Sequence, residues 1–346
     1  MILFRTDGNS EIGTGHIMRC LSLADAFRAS GEEAVFAAAD ETMKWLIEKR
    51  GFQCCVLGTD YRDMHSDLGH TLELVRKLNA ELLIADSYFV TADYLRRVKE
   101  EVRLAYLDDL ASFVYPVDVL INYNIYADKQ VYEKLYAESG EPLPRLLLGA
   151  GYAPMRAEFR GLPKKEIKEK CTDILISTGG ADPLHLSLRF AEYISAECRS
   201  DGLKYHLLIG AMNRDRSEIE QITSESENIV LHFNVEKMSE LICSCDIAVS
   251  AAGSTMYEIC ACGVPLITYV LADNQIPGAK GFEKHGLAVF CNDARKEDIC
   301  PLIFEKIKYL AADFSCRQWR RGVMQKMVDG YGSDRIAQSI QTWFTR

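Results

Sequence analysis

Residues 1–20, MILFRTDGNSEIGTGHIMRC, pass from an apolar run through a glycine turn into a helical pattern. MILF has the continuous hydrophobicity of a strand covered on both faces. Gly13 and Gly15 flank Thr14, and Ile17, Leu21, Ala24 and Phe27 then recur at 3- and 4-residue spacing, which is one face of a helix. A strand that enters a helix through such a turn opens a doubly wound α/β unit, and the helix amides suit an anionic ligand. His16 is the unusual member of the turn. A dinucleotide fingerprint would need a third glycine where Met18 stands, so the G-x-G alone is weak evidence for one. At a helix N-terminus an imidazole is held neutral near pH 7, the state a general base requires. The competing reading is a capping or packed histidine.

The same alternation runs through the chain. Strands are expected at 1–5, 33–38, 52–57, 81–86, 102–107 and 117–122, with helical stretches at 41–50, 66–78 and 91–101 between them. A second series of strands follows at 173–178, 205–210, 228–233, 246–251, 265–270 and 288–291. Helices fit 184–198, 236–244, 255–262 and 275–285, and the remainder from 295 is mostly helical. Residues 161–171, GLPKKEIKEKC, are charged and flanked by glycine and proline. The expected organisation is an N-terminal domain at 1–160, a linker at 161–171, and a C-terminal domain at 172–346. Both are Rossmann-like α/β domains, doubly wound and facing each other across a cleft, with ligands at the carboxyl ends of the strands.

Composition narrows the function. The chain has 346 residues and a net charge of −10. That balance disfavours nucleic-acid and membrane-surface partners, which select basic faces. Neither a secretory leader nor an apolar run of membrane-spanning length is evident, so a cytoplasmic protein is expected. None of the twelve cysteines forms a C-x-x-C pair, and reduced core thiols are the plain reading. No cofactor and no metal are expected. Asp108-Asp109 looks superficially like an acidic metal pair, but without further ligands it reads as a turn and cap. Oligomeric state is not legible.

SAAGSTMYEICACGVPLI, 250–267, carries the most chemistry in the second half. Gly253, Ser254 and Thr255 open a helix directly after a strand and suit a diphosphate. Glu258 follows Ser254 by one turn on the same side, where a carboxylate accepts both hydroxyls of a ribose. Ordinary N-capping and a solvated glutamate are the alternatives. STGGADP, 177–183, is another strand-to-helix turn, with Gly179 and Gly180 paired.

The 250–267 stretch resembles the nucleotide-sugar site of the GT-B superfamily, the MurG-type glycosyltransferases. FRTDGNSEIGTGHIMRC more specifically resembles the UDP-sugar hydrolases of the pseudaminic-acid pathway. LLIADSY (82–88), YLDDL (106–110), DVLINYNIYA (118–127), GAGYAPMRAEF (149–159), ISTGGADP (176–183) and DNQ (273–275) follow in matching order. The spore-coat polysaccharide proteins share these features. The resemblance implies a GT-B fold and hydrolysis of UDP-2,4-diacetamido-2,4,6-trideoxy-β-L-altropyranose to UDP and free sugar. It assigns the sugar site with the base to the N-terminal domain and the UDP site to the C-terminal domain. Water would attack the anomeric carbon with inversion and without a metal. His16 would be the base. Gly179, Gly180, Gly253, Ser254, Thr255 and Glu258 would hold UDP, with uracil near Val235 and Met238. Arg5, Asp7, Gly15, Tyr88, Asn122, Asn124 and Gln275 would face the sugar. For several of these a bland reading stands beside the functional one: Tyr88 as a packed aromatic, Asn122 and Asn124 as turn formers, Arg5 and Asp7 as partners of each other. The alternative activity is a GT-B glycosyltransferase that passes the sugar to an acceptor in surface or spore-coat polysaccharide synthesis. A UDP-sugar 2-epimerase, a nucleotide-sugar sensor and a nicotinamide dehydrogenase fit the residues less well.

Overall fold

The computed structural model describes residues 1–9 and 11–344. The chain divides into two compact units, 1–157 with 331–346, and 158–330.

The first unit is built on seven parallel strands: β1 (Ile2–Thr6), β2 (Ala34–Ala38), β3 (Gln53–Val56), β4 (Leu82–Asp86), β5 (Arg103–Leu107), β6 (Val119–Asn122) and β7 (Arg145–Leu148). Their order across the sheet is β3-β2-β1-β4-β5-β6-β7. Every residue of β1 and β4 is buried, as a strand covered by helices on both faces requires. Six of these strands coincide with the apolar runs of the sequence. β7 does not stand out there, being four residues long at the sheet edge with only Leu147 buried.

The second unit repeats the design with β8 (Asp173–Ser177), β9 (Lys204–Ile209), β10 (Ile229–Phe233), β11 (Ile247–Ala251), β12 (Leu266–Val270) and β13 (Ala288–Asp293). Their order is β10-β9-β8-β11-β12-β13, again all parallel. In each sheet the winding direction reverses once, between β1 and β4 in the first and between β8 and β11 in the second. The loops leaving those neighbouring strand ends diverge and open a crevice. Among the described residues no helix is long and apolar enough to cross a membrane.

Two features differ from the expected boundaries. Residues 161–171 form neither helix nor strand, yet they are tied to the second unit. Gln325 accepts from the Lys165 amide and donates to the Pro163 carbonyl, and Arg317 holds the carbonyls of Lys168 and Glu169. The larger departure is at the end of the chain. Residues 331–346, expected with the second domain, belong to the first unit. The Gly332–Phe344 helix packs against the Gly15–Ala29 helix, and Ile336, Ala337 and Ile340 form a buried stripe along it. Amphipathic spacing announces such a helix, but not which apolar surface will cover it. Ser333 secures the return by bonding both the amide and the carbonyl of Met155.

Gly332 permits this close passage. A Cβ there would lie 2.0 Å from the Ala153 carbonyl oxygen, a backbone atom that cannot swing aside. Gly332→Ala is therefore expected to destabilise the protein by about 1–3 kcal/mol, the usual cost of overpacking. The check is a lowered urea midpoint with an unchanged far-ultraviolet circular dichroism spectrum.

Candidate active site

The first unit places its chemistry at the β1–β4 reversal. β1 and β4 are in register, with Thr6 opposite Asp86, and the Gly15–Ala29 helix follows the turn after β1. His16, the second residue of that helix, is only 5% exposed. Its Nδ1 lies 2.5 Å from Oδ1 of Asp86. Burial opposes ionisation of Asp86, but Arg19 and His16 outweigh it and hold the carboxyl well below the usual carboxylate range. An ionised carboxylate only accepts, so Nδ1 is the donor of this pair, and in a neutral imidazole the lone pair then lies on Nε2. Arg19 Nη2 also sits 3.1 Å from Nδ1. In this tautomer both groups are donors, and they share Asp86 as acceptor.

A ring of polar contacts surrounds the pair. Arg19 grips Asp86 with Nε and Nη2, each at 2.6 Å, and reaches Asp109 with Nη1 at 2.8 Å. Asp109 accepts from Tyr88 Oη at 3.0 Å and from Asn124 Nδ2 at 2.9 Å. Burial, then the neighbouring Asp109 carboxylate, pushes the Tyr88 phenol up and keeps it a neutral donor. The Tyr88 ring meets His16 edge-on, with centroids 4.6 Å apart. A small cavity beside the imidazole is lined by Asp7, Ile12, His16, Asp86, Ser87, Tyr88 and Phe89.

The expected sugar-facing residues separate into two groups. Tyr88 and Asp7 line this cavity, and Asn124 joins the network through Asp109. Arg5 does not: it is 1% exposed, with Nε and Nη2 on Asp67 and Nη1 on Asp7. Asp67 also accepts from Thr71 and Tyr94, so Arg5 is a buried strut beneath the turn. Asn122 is likewise buried. It donates to Tyr132 and accepts from both the amide and Nδ2 of Asn124, which makes it a support for that loop. Gly15 opens the helix with no crowding around it. Asp108 and Asp109 face different partners: Asp108 accepts from the amides of Leu110 and Ala111 and from Tyr115 and Tyr132, which is the turn-and-cap role. Asp86 and Arg19 are members of this network that spacing did not single out; Asp109, expected with Asp108 as a turn and cap, joins it too. The available signals were the lone acid ending the apolar run ELLIAD and the arginine one turn after His16.

The second unit gathers its glycine turns at the β8–β11 reversal. Ser177 pairs with Ser250, so the turns at 178–180 and 252–255 leave adjacent strand ends. Gly179 has φ +89°, and the turn lies against Gly210, where a Cβ would come within 2.3 Å of the Gly180 carbonyl oxygen. Asp182 receives the amides of Leu186 and Ser187 and so starts the next helix. Ser254 stands at the N-cap of the Thr255–Cys262 helix, yet its side chain makes no capping bond. Gly253 and Ser254 are exposed, while Thr255 and Glu258 are half-buried. Met238 begins the Met238–Ser244 helix and is buried, and Val235 precedes it half-exposed. Gln275 accepts from the Leu271 amide at 2.8 Å.

No protein-family model matches the chain. Among solved structures, MurG of Acinetobacter baumannii superposes over 99% of both chains with a TM-score of 0.67 at 12% identity. The fold is GT-B. The UDP co-structure of Staphylococcus aureus MnaA shares this GT-B architecture, with a TM-score of 0.68 over 99% of this chain and 96% of that one at 9% identity. Curated relatives are similar in sequence. The UDP-2,4-diacetamido-2,4,6-trideoxy-β-L-altropyranose hydrolase of Campylobacter jejuni is 27% identical over 259 residues, 74% of this chain and 86% of that protein. The Bacillus subtilis spore coat polysaccharide biosynthesis protein SpsG is 22% identical over 97% of this chain and 96% of its own length. An uncharacterised protein of Methanocaldococcus jannaschii is 26% identical over 78% of this chain, and the match spans 55% of that protein.

The geometry separates strut from ligand contact at Arg5. Arg5→Met strands Asp67 and Asp7 without their cation, and breaking a buried pair this way costs about 3–5 kcal/mol. Urea unfolding is expected to register a loss of that size. A variant as stable as the parent would release Arg5 for a ligand role.

Proposed function

We propose that this chain hydrolyses a UDP-sugar, with His16 as the general base that activates water and UDP-2,4-diacetamido-2,4,6-trideoxy-β-L-altropyranose as the substrate. The observation that carries this reading is the His16–Asp86 pair. The carboxylate accepts a hydrogen bond from Nδ1–H, which leaves Nε2 to receive a proton from water, and its charge stabilises the imidazolium that results. As the water oxygen bonds to the anomeric carbon, the bond from that carbon to the diphosphate oxygen breaks. UDP leaves with the electron pair, and configuration inverts. The diphosphate is a good leaving group, so no strong acid and no metal are invoked. In this reading the turns at 179–180 and 253–255 of the second unit meet its charge with backbone amides and hydroxyls. Glu258 takes the ribose, and uracil lies by Val235 and Met238. The similarity to the Campylobacter jejuni hydrolase supports the choice of sugar.

A second reading, transfer of the sugar to an acceptor, draws on the full-length likeness to SpsG. UDP release by purified protein with no acceptor present favours hydrolysis; release only after an acceptor is added favours transfer.

His16→Asn keeps a polar side chain at the helix start but cannot act as the base. Turnover is expected to fall about 10²- to 10⁴-fold with UDP affinity unchanged, measured by single-turnover UDP release and calorimetry. Turnover within a few-fold of the parent would remove His16 from the mechanism. Glu258→Ala tests the nucleotide site by itself. UDP binding is expected to weaken by about 1.5–3 kcal/mol, the range for hydrogen bonds to a charged group, and unchanged calorimetric affinity would sink that assignment.

A further inference from the structure

Arg19 belongs to the GHIMR stretch, yet neither the base nor the nucleotide loops account for it. It lies three residues after His16 on the same helix face, and its side chain is 6% exposed. One planar group there serves two acids. Nε and Nη2 take both oxygens of Asp86, the partner of His16. Nη1 takes both oxygens of Asp109, at 2.8 and 3.1 Å, and also donates to Tyr123 Oη at 3.0 Å. Asp109 in turn fixes the Tyr88 hydroxyl and the Asn124 amide. The edge contact between Tyr88 and His16 closes the circuit. Among the described residues, the ion pairs of these two carboxylates come from Arg19 and His16.

We propose that Arg19 is a positioning residue that locks the imidazole of His16 and the phenol of Tyr88 into one shared alignment, so that the base and the sugar-facing loop are aimed together. The proposal rests on His16 being the base of the reaction described above. It follows from the shape of the guanidinium. The two acids approach different edges of the same plane, so displacement at either edge tilts the group and is felt at the other. A lysine supplies the same charge as a single point on a flexible stem and cannot reproduce this double fork. The surroundings are buried, where polar networks are stiff and strongly coupled.

Arg19→Lys keeps the charge and removes the fork, and two measurements read the result. The first is nitrogen-15 and proton magnetic resonance of the His16 ring, which needs no substrate. The parent is expected to show the Nδ1–H tautomer with a far-downfield proton, and Arg19→Lys to lose that proton signal or mix the two tautomers. The second is turnover, expected to fall about 10²-fold, the scale of a misplacement near 1 Å, with UDP affinity unchanged. Tyr88→Phe is further expected to cost less in the Arg19→Lys background than in the parent. An unchanged His16 spectrum together with turnover within a few-fold of the parent overturns the proposal. Should Arg19→Lys not fold, Asp109→Asn replaces it. That variant leaves the Asp86 fork in place, and a His16 spectrum identical to the parent's would show that the two sides are not coupled. A spectral change in a protein that releases no UDP from any UDP-sugar upholds the role of Arg19 and sinks the hydrolase reading, so the two failures are distinguishable.

Discussion

The carboxylate of Asp86 is the constraint on which the first unit's site depends. It ends β4, buried, directly across the sheet from the end of β1. An ionised acid in that position is costly unless it is paired and hydrogen-bonded. Both ion-pair partners come from one turn of the Gly15–Ala29 helix, His16 at its start and Arg19 three residues on, and the Cys20 thiol adds a further hydrogen bond. The helix carries buried polar residues among its apolar ones for this reason. The same electrostatic need that keeps Asp86 charged makes Nδ1 of His16 the donor of the pair.

The second unit solves a different problem, the holding of polar turns at the rim of an apolar sheet. Backbone approach does most of it. Gly210 admits the 179–180 turn at a distance no side chain would allow, the Met212 amide bonds the Gly180 carbonyl, and Asp182 closes the turn onto the next helix. At the neighbouring strand end Ser254 starts a helix without spending its hydroxyl on the cap. The two units thus differ at their strand-order reversals: ionised side chains locked to each other in the first, and glycine-shaped backbone beside the exposed Ser254 in the second.

Most of the fold was legible because parallel strands covered on both faces leave a coarse mark. Runs such as ELLIAD and DILIST are continuous and apolar, and each lies within one residue or so of an observed strand. β7, RLLL, was missed because four residues at a sheet edge carry too little pattern to stand apart from a loop. Local residues single out His16 and the 253–258 segment as candidates, because each joins a chemistry-bearing side chain to a glycine turn at a helix start. Arg5 reads from the sequence either as a sugar contact or as the partner of Asp7; it does bond Asp7, but the acid that takes its Nε and Nη2, Asp67, is 62 residues away and leaves no local signal.

The sequence by itself determined the alternation of strand and helix, the three glycine-turn junctions, and the placing of a histidine at the first and of hydroxyls with an acid at the third. These are properties of a few consecutive residues, set by periodicity and backbone freedom. Only the tertiary structure decided which residue became the partner of His16, because Asp86 is 70 positions distant and meets it through the β1–β4 adjacency. It alone decided that the last helix returns to the first unit, since an apolar stripe specifies that it be covered and not by what. Contacts of that kind depend on strand order and on which buried charge must be neutralised, and neither is written in any local stretch of the chain.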